Sequence, residues 1–241
     1  MQQELNTAFE IQTNLMPSET PEINGFDLAG VSVPAQSVGG DFFDYIQIDD
    51  YHWGIGLGDV SGKGMPAALL MSNCQATLRG QAVFGVAVNE TVERTNKLLT
   101  RNIRRGSFVT LFYGVLDAIS GRFTFANAGH NKPYVRRTDG TLEMLMLGGL
   151  VLGFIGTQKY GQDSVVLNPG DTLFVFSDGV TEAMNAQHDQ FEEERLEELL
   201  KSIGDVSADE YVQTVHTAVK EHAGSHPQND DITILVVKRS N

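Results

Sequence analysis

One cysteine, one tryptophan and 17 basic residues against 31 acidic ones mark what this chain of 241 residues has little of. A lone thiol, Cys74, makes no internal disulfide and builds no zinc–thiolate site, which points to a reducing, cytoplasmic setting. The net charge of −14 works against nucleic acid or an anionic membrane as partner, because neither phosphate backbone nor lipid head groups attract it. No apolar run approaches the roughly 20 residues of a membrane-spanning helix, and no signal peptide opens the chain. A hydrophobic share of 41% suits an ordinary globular core. Much of the acidic excess is local, as in "FEEERLEELLK", which reads as a solvated helix face.

Apolar residues Leu5, Phe9, Ile11, Leu15 and Met16 recur at helical spacing near the start, and Pro17 and Pro21 end that helix. Short strand-like runs follow: "FDLAGVSVPA", "FFDYIQID" and "HWGIGLGDVS". Pro66 suits a first helical turn, so "PAALLMSNCQATLRGQA" is predicted as a helix; "NETVERTNKLLTRNI" is a second, with Asn89 as its cap. Strands return from "FVTLFYGVLD" to "TLFVFSDG", then helices over 191–203 and 208–222, the latter with a capping box in Ser207 and Glu210. "DITILVV" closes the chain as a strand. Helices paired between antiparallel-looking strands predict an α+β fold of layered sheets rather than an alternating parallel sheet. The simplest division is an N-terminal linker or regulatory helix over 1–21 and one domain over 22–241.

Four aspartates carry the functional argument. Asp41 in "VGGDFFDY", Asp59 in "GLGDVSG", Asp178 in "FVFSDGVTE" and Asp230 in "QNDDITILVV" each lie at the end of an apolar run among small or polar residues. Asp–Gly pairs are also ordinary turns. A turn, however, does not require its Asp to follow "TLFVF" or to lead directly into a buried strand. Two unit charges about 4 Å apart repel by roughly 4 kcal/mol at an effective dielectric near 20, so four converging carboxylates need cations. All-oxygen ligands favour magnesium or manganese over zinc. Two such ions support metal-assisted phosphoester hydrolysis. The same "GDVSGKG" loop is not a P-loop, which needs four residues between its glycines and Ser or Thr after the Lys.

In this order, "VGGDFFD", "GDVSGKGMPAALLM", "NAGHNKP", "SDGVTEA" and "NDDITILVV" resemble the metal-dependent protein phosphatases (PPM, type-2C-like), in their bacterial sporulation and stress-response (SpoIIE-like) branch. The resemblance runs from about Pro34 to Val237. It implies a four-layer α-β-β-α sandwich of two antiparallel sheets flanked by helix pairs. It also implies two divalent cations, Mn2+ or Mg2+, bridged by Asp59 with help from the Val60 carbonyl. Asp41 would serve the second ion, and Asp178 and Asp230 the first, with Asp59 and Asp178 central to catalysis. The implied substrate is a phosphoserine or phosphothreonine regulatory protein such as an anti-sigma-factor antagonist. An upstream sensory or receiver domain is expected before the N-terminal helix, itself a candidate regulatory and homodimer-forming element. Animal and plant members carry an early phosphate-holding Arg, whereas no Arg precedes Asp41 here.

Other residues have weaker signals. Lys63 either contacts phosphate or caps its loop. His130 reads as a turn residue that supports the site rather than as a general acid. Asp44, Asp231 and Glu182 read as neighbours of the ligands, Glu182 as a helix-start residue. A phosphatase-like adaptor that binds a regulatory protein is the alternative function, although a pure binding module has no need of four mutually repelling carboxylates. "GGDFF" lacks the second acid of the nucleotide-cyclase signature, Phe42 standing in its place.

Overall fold

The structure is a computed structural model that describes residues 2–240, without the side chains of Gln2, Leu5 and Asn6. Helix α1 (Gln2–Leu15) leads into strands β1 (Phe26–Val33), β2 (Phe42–Gln47) and β3 (His52–Val60). Helices α2 (Met65–Ala82) and α3 (Val88–Leu99) follow, then β4 (Val109–Asp117), β5 (Arg122–Ala128), β6 (Tyr134–Arg136), β7 (Leu142–Met144), β8 (Asp163–Val166) and β9 (Thr172–Phe176). A one-turn helix α4 (Asp178–Thr181), helices α5 (Glu193–Ser202) and α6 (Ala208–Ala223) and strand β10 (Ile232–Arg239) complete the order.

Two antiparallel five-stranded sheets form, β1-β10-β9-β6-β7 and β2-β3-β4-β5-β8. Phe43, Ile55, Leu57, Phe112, Phe123 and Phe125 from the second sheet meet Leu28, Leu173, Val175, Leu235 and Val237 from the first in one core between the sheets. A second core lies under α2 and α3, and a third under α5 and α6. The result is the expected α-β-β-α sandwich. Strands β9 and β10 are covered on both faces, so they read as continuous apolar runs rather than alternating ones.

Strand β3 shows how sequence positions the site. Its alternation sends Ile55 and Leu57 between the sheets. Gly54, Gly56 and Gly58 face the helix layer, where Tyr113, Leu78 and Phe42 fill the room that a Cβ would take. The period of two then puts Asp59 on the inter-sheet face and Val60 on the helix face. Gly62 (φ 95°) and Gly64 (φ 71°) take left-handed conformations in the turn that follows, which glycine adopts without steric cost. Pro66 stands in the first turn of α2, as its fixed φ favours.

Three local expectations need correction. The cap of α3 is Ala87, with extended backbone, and Asn89 lies inside the first turn. Helix α5 begins at Glu193 rather than Phe191, because Glu192 holds φ at 67° and Phe191 is buried as an anchor. Glu182 ends α4 as its C-cap instead of starting a helix. The capping box of Ser207 and Glu210 forms as read. On α1, Phe9 and Ile11 are exposed, so its apolar stripe is not wholly packed on the domain.

Candidate active site

Between the sheets the apolar filling gives way to polar groups at one end. Asp59 from β3 and Thr110 from β4 are register partners there. Asp41 enters from the loop before β2, and Ser177 and Thr233 come from the ends of β9 and β10. Asp178 and Asp230 stand beside them, at the start of α4 and just before β10.

These carboxyl groups perturb one another. Asp41 is buried, and its pKa is driven well above the usual carboxylate range by desolvation and then by the charge of Asp59. Hydrogen bonds from the Ser177 and Thr233 hydroxyls offset part of that rise. Asp59 is pushed up to about 7 by burial, then by Asp178, with Asp230 and Asp231 adding to it and a hydrogen bond to Asp41 opposing it. Burial, Glu182 and Asp230 raise Asp178 to about 6, while Lys63 pulls it down. Asp59 has Asp41, Asp178 and Asp230 all as electrostatic neighbours. Among the described residues, however, no three His, Cys, Asp or Glu side chains close around a single point in the manner of a one-ion site.

The donor set suits hard divalent cations, being carboxylate oxygens without a histidine or thiolate. One buried oxygen, Asp41 Oδ2, has no hydrogen-bond partner. A buried polar atom without a partner is costly, and a cation would satisfy it. A Cβ at Gly40 would sit 2.9 Å from the Val60 carbonyl oxygen, so only glycine lets the Asp41 loop lie this close to the end of β3.

Residues around the carboxylates hold them in place. The Asp231 carboxylate accepts hydrogen bonds from the backbone N–H of Ala35 (2.7 Å) and Gly40 (2.6 Å) and thereby shapes the loop that carries Asp41. Lys63 Nζ pairs with Asp230 at 3.0 Å and donates to the Asn229 carbonyl. His130 is buried, its Nδ1 2.8 Å from Thr110 Oγ1, and its backbone N–H donates to Asn127 Oδ1 at 2.8 Å. Burial lowers its pKa to about 4, and its contact with Thr110 braces β4. Asp44 faces away from Asp59 into a bidentate pair with Arg79, at 2.5 and 2.9 Å. Sequence reasoning missed the Asp44–Arg79 pair and the part played by Gln12. The side-chain amide of Gln12 donates to the Gly39 carbonyl (2.7 Å) and accepts from the Gly39 N–H (2.8 Å). No local motif signals either contact, since each joins distant parts of the chain.

The two-sheet sandwich is that of the PP2C fold. The family model described as Stage II sporulation protein E (SpoIIE) matches residues 49–240, and the chain belongs to that family. It is 30% identical over 244 residues to the phosphoserine phosphatase RsbU of Bacillus subtilis (strain 168), an alignment that covers 99% of this chain and 72% of RsbU. The SiaA-PP2C domain of Pseudomonas aeruginosa superposes with a TM-score of 0.86 at 24% identity, over 99% of this chain and 96% of that one. RsbX, solved in complex with magnesium, superposes with a TM-score of 0.67 at 18% identity, over 92% of this chain and 99% of that one. The chain is a protein serine/threonine phosphatase. Among the described residues no helix is long and apolar enough to cross a membrane.

Proposed function

We propose that this phosphatase hydrolyses phosphoserine or phosphothreonine on a regulatory protein, such as an anti-sigma-factor antagonist, with two divalent cations, Mn2+ or Mg2+. Asp59, with the Val60 carbonyl, would hold both ions; Asp41 would serve the second, and Asp178 and Asp230 the first. The observation that carries this reading is the raised pKa of Asp41, Asp59 and Asp178 together at the end of the inter-sheet core, with Asp41 Oδ2 unpartnered. The magnesium seen with RsbX supports it. When bound, such ions make water a nucleophile near neutral pH and neutralise charge on the phosphoryl oxygens. The chain's own part is to hold the carboxylates at fixed strand ends. Asp231 holds the Asp41 loop, the Ser177 hydroxyl donates to the Asp231 carbonyl, and Lys63 places a positive charge beside Asp230. Manganese titration by calorimetry on the wild type and Asp59→Ala tests the assignment. The wild type should bind two ions and the variant fewer; identical isotherms would remove Asp59 from the site.

The segment over residues 1–21, which includes helix α1, is proposed as the regulatory linker to an upstream sensory or receiver domain. The end of α1 is clasped by α2, with Gln75 Nε2 and Arg79 Nη2 both donating to the Leu15 carbonyl at 3.0 Å. The Gln12–Gly39 contact carries any movement of the helix to the Asp41 loop. Exposed Phe9 and Ile11 suit a second copy of α1, and sedimentation of wild type and Phe9→Glu tests that dimer. A cytoplasmic setting fits the single buried Cys74.

A further inference from the structure

A cleft of about 400 Å³ opens beside the acidic rim, between α4 with the segment after it and the C-terminal end of α6 with its following loop. It shares Lys63, Gly179 and Asp230 with the rim. Its floor is apolar, built from Ala183, Met184, Val219, Ala223, Pro227 and Ile232. Basic groups stand around it: Lys63, Lys220 and His226, against the acids Glu182 and Asp230. Lys63 and Lys220 balance Glu182 and Asp230, so the cleft is locally neutral in a chain of net charge −14. Lys63 is engaged with Asp230, while Lys220 is exposed and has no ion-pair partner among the described residues.

We propose that this cleft receives the residues flanking the phosphorylated side chain of the protein substrate, taking a large aliphatic side chain on its floor and an acidic residue opposite Lys220 and His226. This rests on the reading of the acidic rim as the phosphoryl-transfer site. Three observations select that occupant. First, the cleft is continuous with the rim, so a chain whose phosphate lies at Asp59 and Asp178 must run over one of the rim's borders. Consecutive Cα atoms are about 3.8 Å apart, which brings a side chain one to three residues along into this neighbouring space. Second, the volume exceeds what one side chain fills and lies in the range of about 300–1,000 Å³ common to specific pockets. Third, Lys220, without an ion-pair partner among the described residues and beside an apolar lining, matches an aliphatic residue next to an acid.

The test compares three probes on the full chain in manganese: p-nitrophenyl phosphate, a phosphoserine peptide flanked by Leu and Asp, and the same peptide flanked by Gly and Asn. The wild type should prefer the Leu/Asp peptide. Ala223→Trp, which fills the floor, should lower kcat/KM for that peptide about tenfold or more, the range in which pockets discriminate by side-chain size, and leave p-nitrophenyl phosphate within about twofold. Lys220→Glu, an exposed change that leaves packing intact, should erase or invert the preference for Asp. Equal use of both peptides by the wild type, or an unchanged preference in Lys220→Glu, overturns the proposal. A loss on all probes in Ala223→Trp alone signals damaged packing, and Lys220→Glu then decides. If manganese supports no turnover of any probe, the metal-dependent reading fails. Fluorescence anisotropy of the labelled peptides on wild type and Lys220→Glu then judges the cleft separately, equal binding by both overturning it.

Discussion

The carboxylate of Asp231 accepts the backbone N–H of Gly40 at 2.6 Å, which ties the segment before β10 to the loop that presents Asp41. Of two adjacent aspartates, Asp230 and Asp231, one faces Lys63 and the rim while the other holds the loop that crosses from β1 to β2 in the other sheet. Asp231→Ala should therefore weaken manganese binding by about 10–100-fold, the usual effect of removing a group that orients a ligand, with the fold retained. Calorimetric titration with a circular-dichroism control checks this. Unchanged affinity would separate the loop from the site.

Gln12 makes two hydrogen bonds to Gly39 from within α1. Each is worth about 1 kcal/mol. Gln12→Ala should cost about 2 kcal/mol of docking between α1 and the domain, and it should lower kcat. A variant with wild-type kcat would show that the helix does not act on the Asp41 loop.

Asp44 is buried against Arg79. Removing the guanidinium leaves a buried carboxylate without its partner, at a cost of about 3 kcal/mol. Arg79→Ala should lower stability accordingly in urea titration, whereas Arg79→Ala with Asp44→Ala should recover part of it. If the double variant is as unstable as the sum of the single ones, the pair is not coupled.

Asp59 and Asp178 are raised from 3.8 to about 7 and about 6. A carboxyl group with a higher pKa folded than unfolded keeps its proton better in the folded chain. It therefore costs nothing below pH about 4 and penalises folding increasingly as pH climbs through 4 to 7. In chelator, Asp59→Asn should melt higher than the wild type at pH 7.5, and the gap should close toward pH 4. Manganese should raise the wild-type melting temperature at pH 7.5, because a ligand of the folded state alone stabilises it. A gap that does not change with pH would contradict the mutual repulsion of these groups.

The layered α+β fold was legible because the helices fall in pairs between strand-like runs. The inward direction of Asp59 follows from the alternation of Ile55 and Leu57. Asp41, Asp178 and Asp230 stood out as acids at the ends of apolar runs, and the structure makes them electrostatic neighbours of Asp59. What stayed hidden depends on contacts between distant parts of the chain: Asp231 with Gly40, Arg79 with Asp44 and Gln12 with Gly39. The start of α5 was misplaced because nothing in "FEEERLEELLK" reveals that Glu192 turns the backbone to a positive φ. Asn89 looked like a cap by residue type, but the helix gains its first turn at Val88, whose side chain is buried.

The most direct test of the account is hydrolysis of p-nitrophenyl phosphate and a phosphoserine peptide as manganese is titrated, with Asp178→Asn as control. The account predicts turnover that rises with manganese, vanishes in chelator and is lost in the variant. Turnover that persists in chelator, or survives Asp178→Asn undiminished, would contradict it.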